Sequence, residues 1–303
     1  MADKNTEIHH NNKSFDIDAS AHFKKRSINV NGQLISFERP RVMGILNITP
    51  DSFYAGSRIS SIDQAISAAS KMISEGADFL DVGAYSSRPG AADVAQEEEV
   101  ERLIPVLKAL VKEFPAVIFS VDTFRAQVAE AGIEAGAHII NDISGGDLDL
   151  DMIATIARLK VPYIIMHMKG TPQTMKQFAQ YEDVINEVFK QLHSKIQRLK
   201  QAGVLDYIVD PGFGFAKNIE QNYELLNQFE FFKELGAPLL AGMSRKSMIW
   251  KVLDIDNKDA LNGTTVLNTV ALMKGADILR VHDVRPAVEA VTLLQKLRRN
   301  KGD

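Results

Sequence analysis

Eight times along this 303-residue chain a short apolar run ends in polar, reactive residues, and a helical stretch follows. Val42–Leu46 runs into Asn47, Phe79-Leu80 into Asp81, Val117–Phe119 into Asp122, and His138–Ile140 into Asn141. Tyr163–Met166 runs into His167, Tyr207–Val209 into Asp210, Pro238–Leu240 into Ser244-Arg245-Lys246, and Ile278-Leu279 into Arg280 and His282. Continuous rather than alternating apolar runs mean strands buried on both faces, as in a parallel sheet. Eight strand–helix repeats close most economically into an α/β fold of the (β/α)8, or TIM, barrel type, whose sites lie at the C-terminal strand ends. The residues ending the runs are therefore expected to line one site.

Residues 27–303 are expected to form a single barrel domain, because no linker or charge block divides them. Residues 1–26 are polar and aperiodic, and are expected to be a disordered tail. Between them and the barrel, Asn31-Gly32 separates two short β-prone segments, Ser27–Val30 and Leu34–Phe37. That is a hairpin signal, and such a hairpin is expected to plug the N-terminal mouth of the barrel. Helical periodicity covers residues 62–75, 97–113, 125–135, 150–159, 184–202, 219–235, 261–273 and 286–297. Gly76, Gly136, Gly203, Gly236 and Gly275 stand just past helical stretches, where helices terminate in a left-handed residue. The loops after the first two strands, Thr49–Ile59 and Ala84–Gln96, are longer than a barrel needs and suit substrate loops.

Composition narrows the function. The chain has no Cys, which excludes disulfide and thiol chemistry and fits a cytoplasmic location. No apolar stretch reaches membrane-spanning length. Nucleic-acid binding normally shows a basic excess, and a net charge of −4 shows none. An anionic ligand would need local positive partners, and the last two strand ends supply them.

Asp122, Asn141, Asp210 and Lys246 each end a different strand. Two carboxylates, a carboxamide and an ammonium make a nearly complete donor–acceptor set for a flat heterocycle with ring nitrogens and an exocyclic amine. For one such residue a buried ion pair or a turn cap is as good an explanation; four together at strand ends favour a site. Arg280 and His282 lie two apart, so both face one way. With Arg245 and Lys246 they form a basic set where barrels commonly bind phosphate. Asn47 could offer Mg²⁺ a neutral oxygen, since that ion shares its shell with substrate phosphates. His167, between Met166 and Met168, reads as packing. The run Asp210-Pro211-Gly212-Phe213-Gly214-Phe215 lacks dinucleotide-fingerprint spacing. Its glycines suit close backbone approach to a flat ligand, with Phe215 as an aromatic wall.

These motifs together resemble the dihydropteroate synthase family. Ile45–Phe53, Ser86–Gly90, Ser120–Thr123, Asn141–Ile143, Asp210–Phe215, Ser244–Ser247 and Arg280–Asp283 follow its order from about Arg41 to Arg298. The resemblance implies a folate-biosynthesis transferase joining 6-hydroxymethyl-7,8-dihydropterin diphosphate to 4-aminobenzoate. It implies that Asp122, Asn141, Met166, Asp210, Gly214 and Lys246 hold the pterin. Asn47, Ser87, Arg280 and His282 would hold the diphosphate, with Asn47 on a Mg²⁺ cofactor. Phe53, Ser87, Arg88, Pro89, Phe215, Lys246 and Ser247 would shape the aminobenzoate pocket. The residues implied in catalysis are Asn47, Asp122, Lys246, Arg280 and His282. The resemblance further implies sulfonamides as competing inhibitors and a homodimer built through the later helices. The spacing of Leu261–Met273 fits either packing on the barrel or a dimer face.

The chain departs from the family pattern twice. The first loop reads Tyr54-Ala55-Gly56 in place of Ser-Asp-Gly, and the second reads Tyr85-Ser86-Ser87-Arg88 in place of Glu-Ser-Thr-Arg. Activity is expected to survive both. A pterin-binding methyltransferase domain would share the Asp and Asn pattern, but it needs neither Arg88-Pro89 nor the basic set. A non-catalytic pterin-binding paralogue would not need Asn47, Asp122, Lys246, Arg280 and His282 together.

Overall fold

The computed structural model describes residues 27–48, 58–85 and 94–299. The 1–26 segment lies outside them. Strands β1 (Ser27–Val30) and β2 (Gln33–Ser36) pair antiparallel. Asn31 and Gly32 both have positive φ, 48° and 86°, the geometry of the tight hairpin turn that Asn-Gly favours. There follow β3 (Arg41–Asn47), α1 (Arg58–Ser74), β4 (Phe79–Gly83), α2 (Gln96–Glu113), β5 (Ile118–Asp122) and α3 (Ala126–Glu134). Then come β6 (Ile139–Asp142), α4 (Met152–Leu159), β7 (Tyr163–Met166), α5 (Val184–Gln201), β8 (Tyr207–Asp210) and α6 (Ile219–Asn227). The chain ends with β9 (Leu240–Ala241), α7 (Ser247–Leu253), α8 (Leu261–Met273), β10 (Ile278–Val281) and α9 (Val284–Arg299).

The eight later strands form one sheet in the order β8-β7-β6-β5-β4-β3-β10-β9. A parallel bridge between Val209 and Leu239 joins its two edges into a ring, and the Val209 amide donates to Pro238 at 2.9 Å. The apolar runs divide by the two-residue period of a strand. Met43, Phe79, Ile139, Ile164, Ile208, Leu240 and Ile278 form one cluster with Ile28, Val30, Ile35 and Phe37 of the hairpin region. The hairpin thus closes the barrel floor, as expected, and each of its buried side chains contributes about 1.5–3 kcal/mol. The alternate residues, among them Val42, Leu80, Phe119, Ile140, Ile165, Val209 and Leu279, pack in a second cluster with helix residues such as Leu103, Leu107, Leu192 and Ile196.

Two elements differ from the sequence expectation. The 219–235 stretch is α6 followed by a 3-10 helix, Phe229–Leu235. Phe229, Phe232 and Leu235 are all buried there, and a three-residue repeat puts them on one side of a three-per-turn helix. After the seventh barrel strand the chain forms α7 at once, directly behind Lys246. The five expected helix-ending glycines all have positive φ. No described helix is long and apolar enough to cross a membrane.

Candidate functional site

Register brings the expected residues to one rim. Asn47 pairs with Gly83, Asp122 with Asn141, and Met166 with Asp210, all at strand ends. Arg280 lies one residue before the end of β10, opposite Met43. Asp122 lies across Gly83, where an added Cβ would stand 3.2 Å from the Asp122 Cβ. Two residues beyond the apolar floor, the strands present Asp81, Ser120, Asn141, Met166, Asp210, Gly242 and Arg280 on the same face.

The centre is an ion network that includes Asp81, a strand-end residue to which no ligand role was assigned. Arg280 donates through Nε to Asp81 at 2.6 Å and through Nη2 to Asp122 at 2.5 Å. Asp81 Oδ2 also accepts from Asn141 Nδ2 at 2.8 Å, which orients that carboxamide. The Asp81 side chain is fully buried. It ends the second apolar run, and the two-residue step from Phe79 is the signal that places it inside. Loss of hydration pushes the Asp122 carboxyl up to about 7; Arg280 opposes the rise and Asp81 adds to it. Arg280 itself is held above its usual value by both carboxylates despite burial. A guanidinium has five donors, so three remain for an anion beyond these two bonds.

Lys246 lies over Gly214, whose absent Cβ would sit 3.0 Å from the lysine Cδ. Its ammonium donates to the Phe213 carbonyl and stands 4.7 Å from the centre of the Phe215 ring. Withdrawal from water lowers it to about 8, against the pull of Asp210. Burial raises Asp210, and Lys246 opposes that rise. The 211–217 loop is held by Lys217, which belongs to none of the sequence motifs. Lys217 donates to Gly212 O at 2.8 Å and Phe215 O at 3.1 Å, and meets His167 Nδ1 at 3.0 Å. Burial carries both Lys217 and His167 well below their usual values. His167 thus belongs to a packed support, consistent with reading it as packing.

The basic set divides. Ser244 Oγ accepts the His282 amide at 3.1 Å and lies 3.0 Å from His282 Nδ1. Arg245 grips Asp283 with Nε and Nη2 at 2.7 and 2.9 Å. Its Nη1 donates to the carbonyls of Asn257 and Lys258 at 3.2 and 2.6 Å. Arg245 is thus engaged within the fold, whereas Arg280, His282 and Lys246 stand at the rim. Ser247 opens α7 and is half-buried.

Phe53, Ser87, Arg88 and Pro89, and the altered 54–56 loop, lie outside the described residues. Tyr85, at the second departure from the family pattern, is buried. Its hydroxyl accepts from Gln173 at 2.7 Å, and its ring meets Phe124 edge-on at 5.0 Å. Among the described residues, no three His, Cys, Asp or Glu side chains gather as a metal cage. The single neutral oxygen of Asn47 suits only an ion that takes most of its shell from a ligand phosphate and water.

A donor–acceptor edge beside a cationic rim can read a flat heterocycle while holding an attached anion. Comparison with known proteins agrees. Residues 43–282 match the model of the family described as pterin binding enzyme. The dihydropteroate synthase of Escherichia coli is 42% identical over 266 residues, covering 87% of this chain and 94% of that protein. The Yersinia pestis dihydropteroate synthase, solved with a sulfonamide drug, superposes with TM-score 0.85 at 39% identity, covering 90% and 99% of the two chains. The Xanthomonas albilineans synthase, solved with 7,8-dihydropteroate, gives TM-score 0.81 at 36% identity over 90% and 98%.

Proposed function

As the chain belongs to the dihydropteroate synthases of the pterin binding enzyme family, we propose how this transferase's own residues make dihydropteroate. The substrates are 6-hydroxymethyl-7,8-dihydropterin diphosphate and 4-aminobenzoate; the products are 7,8-dihydropteroate and diphosphate. The observation that carries the reading is the network joining Asn141, Asp81, Arg280 and Asp122, with Lys246 and Asp210 beside it. Asp122 and Asp210 accept the N–H groups of the pterin edge, while Asn141 and Lys246 pair with its carbonyl and ring nitrogen. Met166 and Gly214 border the ring. Phe215, Lys246 and Ser247 face 4-aminobenzoate, together with Phe53, Ser87, Arg88 and Pro89. Sulfonamides compete there as mimics, in keeping with the Yersinia complex.

Reaction is a displacement at the pterin methylene, with the leaving group ahead of the nucleophile. The methylene C–O bond breaks, its electron pair leaves on the diphosphate, and the arylamine nitrogen then forms the new C–N bond and gives up a proton. The electron-rich dihydropterin spreads the positive charge, and the Asp122 carboxylate stabilises it electrostatically. The remaining donors of Arg280, with His282 and Ser87, receive the growing negative charge of the diphosphate. A Mg²⁺ held by Asn47 and the diphosphate would supply further charge neutralisation. The arylamine is already nucleophilic, so no strong base is required.

The enzyme acts in the cytoplasm as a homodimer. The dimer reading is supported by apolar side chains left exposed on α7, α8 and α9: Val252, Leu253, Val266, Met273, Leu293 and Leu297. Sedimentation of Leu293→Glu as a monomer, against a dimeric parent, is the expected result.

The deciding experiment is diphosphate release from the dihydropterin diphosphate, with and without 4-aminobenzoate and Mg²⁺. Release that needs all three and yields dihydropteroate is expected. Pterin binding without release would refute the reading.

A further inference from the structure

Three consecutive residues behind β9 reach three different partners. Ser244 Oγ holds the backbone amide of His282 and lies against its Nδ1. Arg245 grips Asp283, the next residue, with both arms of its fork. Lys246 reaches across to the Phe213 carbonyl and the Phe215 ring. The Arg245 backbone is left-handed, with φ 55°, and its amide donates to Thr264 Oγ1 on α8 at 3.1 Å. Such a conformation in a non-glycine residue costs about 1–2 kcal/mol and persists only where the surroundings over-determine it. Here four chain segments converge to do so: the β10–α9 junction, the 257–258 carbonyls, α8 and the β9–α7 turn itself.

The placement has a consequence for the site. Lys246 belongs to the heterocycle and aminobenzoate side, and His282 to the diphosphate side. The segments carrying them are joined twice in parallel, at Ser244–His282 and at Arg245–Asp283. The second joint is a bidentate charge-assisted pair, the side-chain link with the strongest directional preference. Asp283 Oδ1 and Oδ2 are each taken by one arm, so a lysine in place of Arg245 would keep the charge and lose the geometry.

We propose that Arg245, with Asp283, is a positioning residue that makes the turns after the seventh and eighth barrel strands one mechanical unit. Occupation of the diphosphate site is thereby transmitted to Lys246 and α7. Arg245 touches neither substrate; it acts through Lys246 on one side and His282 on the other. The inference rests on the substrate assignment of the preceding section.

The chain carries its own reporter, since its only tryptophan, Trp250, lies on α7 four residues after Lys246. The full chain is titrated with inorganic diphosphate and Mg²⁺, binding being followed by calorimetry and α7 by Trp250 fluorescence. The parent is expected to change its emission at saturation. Arg245→Lys and the isosteric Asp283→Asn are expected to bind diphosphate to saturation with that change abolished. In steady-state assays both variants should raise KM for each substrate roughly tenfold. The double variant should lose no more than the worse single one, because the two act as a unit. A parent that binds diphosphate without any Trp250 response would overturn the proposal. So would variants that keep the response, additive losses, or a KM change for one substrate alone. A parent that binds no diphosphate at all would instead overturn the substrate assignment, and this inference with it.

Discussion

Replacing Asp81 by Asn should change the site in a direction that can be worked out beforehand. The Asp81 carboxylate shares Arg280 with Asp122, at 2.6 and 2.5 Å. Two carboxylates bridged by one guanidinium are about 5 Å apart, and at an effective dielectric constant of about 20 they repel by about 3 kcal/mol. That repulsion is one of the causes holding Asp122 up at about 7. Removing it lowers the Asp122 pKa, and the freed attraction of Arg280 acts in the same direction. The acid limb of kcat/KM for the dihydropterin diphosphate should therefore move down by roughly 1–2 pH units, after allowance for relaxation. Asn141 Nδ2 and Arg280 Nε then share a neutral amide oxygen in place of a carboxylate, so kcat/KM on the plateau should fall about 10- to 100-fold, the equivalent of roughly 1.4–2.8 kcal/mol. Arg280 keeps Asp122, so the loss of stability should be only about 1–3 kcal/mol. The assay is the pH profile of the variant beside its parent, with thermal melts on the same preparations. An acid limb that stays in place, or moves up, would refute the electrostatic reasoning even if activity fell.

Other outcomes follow from the same geometry. The parent's kcat/KM should be bell-shaped, falling below about 7 as Asp122 takes a proton and above about 8 as Lys246 loses one; Lys246→Met should abolish the alkaline limb, and a profile flat across both values would contradict the assignment. Gly212→Ala should cut activity at least about 100-fold, because its Cβ would lie 2.1 Å from the His167 carbonyl oxygen at φ +77°. Gly32→Ala, with positive φ but open space around it, should cost only about 1–2 kcal/mol and leave kcat intact. Ile28→Ala in the barrel floor should lower stability by about 2–5 kcal/mol with kcat per folded molecule unchanged; a specific loss of kcat would show that the hairpin does more than close the barrel.

The strand–helix rhythm, the hairpin and the glycine-terminated helices were legible in the sequence because each depends on local periodicity or on one residue's backbone freedom. The strand-end residues were legible for the same reason: in a parallel barrel, position along a strand already states which end of the fold a side chain occupies. Asp122, Asn141, Met166, Asp210 and Arg280 came to one rim without further information. The partnerships among them were not legible. Arg280 meets Asp81 across 199 residues, and that meeting depends on closure of the ring, which no local pattern encodes. Arg245 and Arg280 look alike as basic residues at strand ends, yet one is engaged within the fold by Asp283 and the other faces the site. Lys217 belongs to no motif, and only the folded 211–217 loop turns its ammonium onto Gly212, Phe215 and His167. The sequence by itself determined which side chains stand at the mouth of the barrel. The tertiary structure decided which of them neutralise one another and which remain for a ligand, because charges respond to distance and desolvation, and both arise only when the barrel closes.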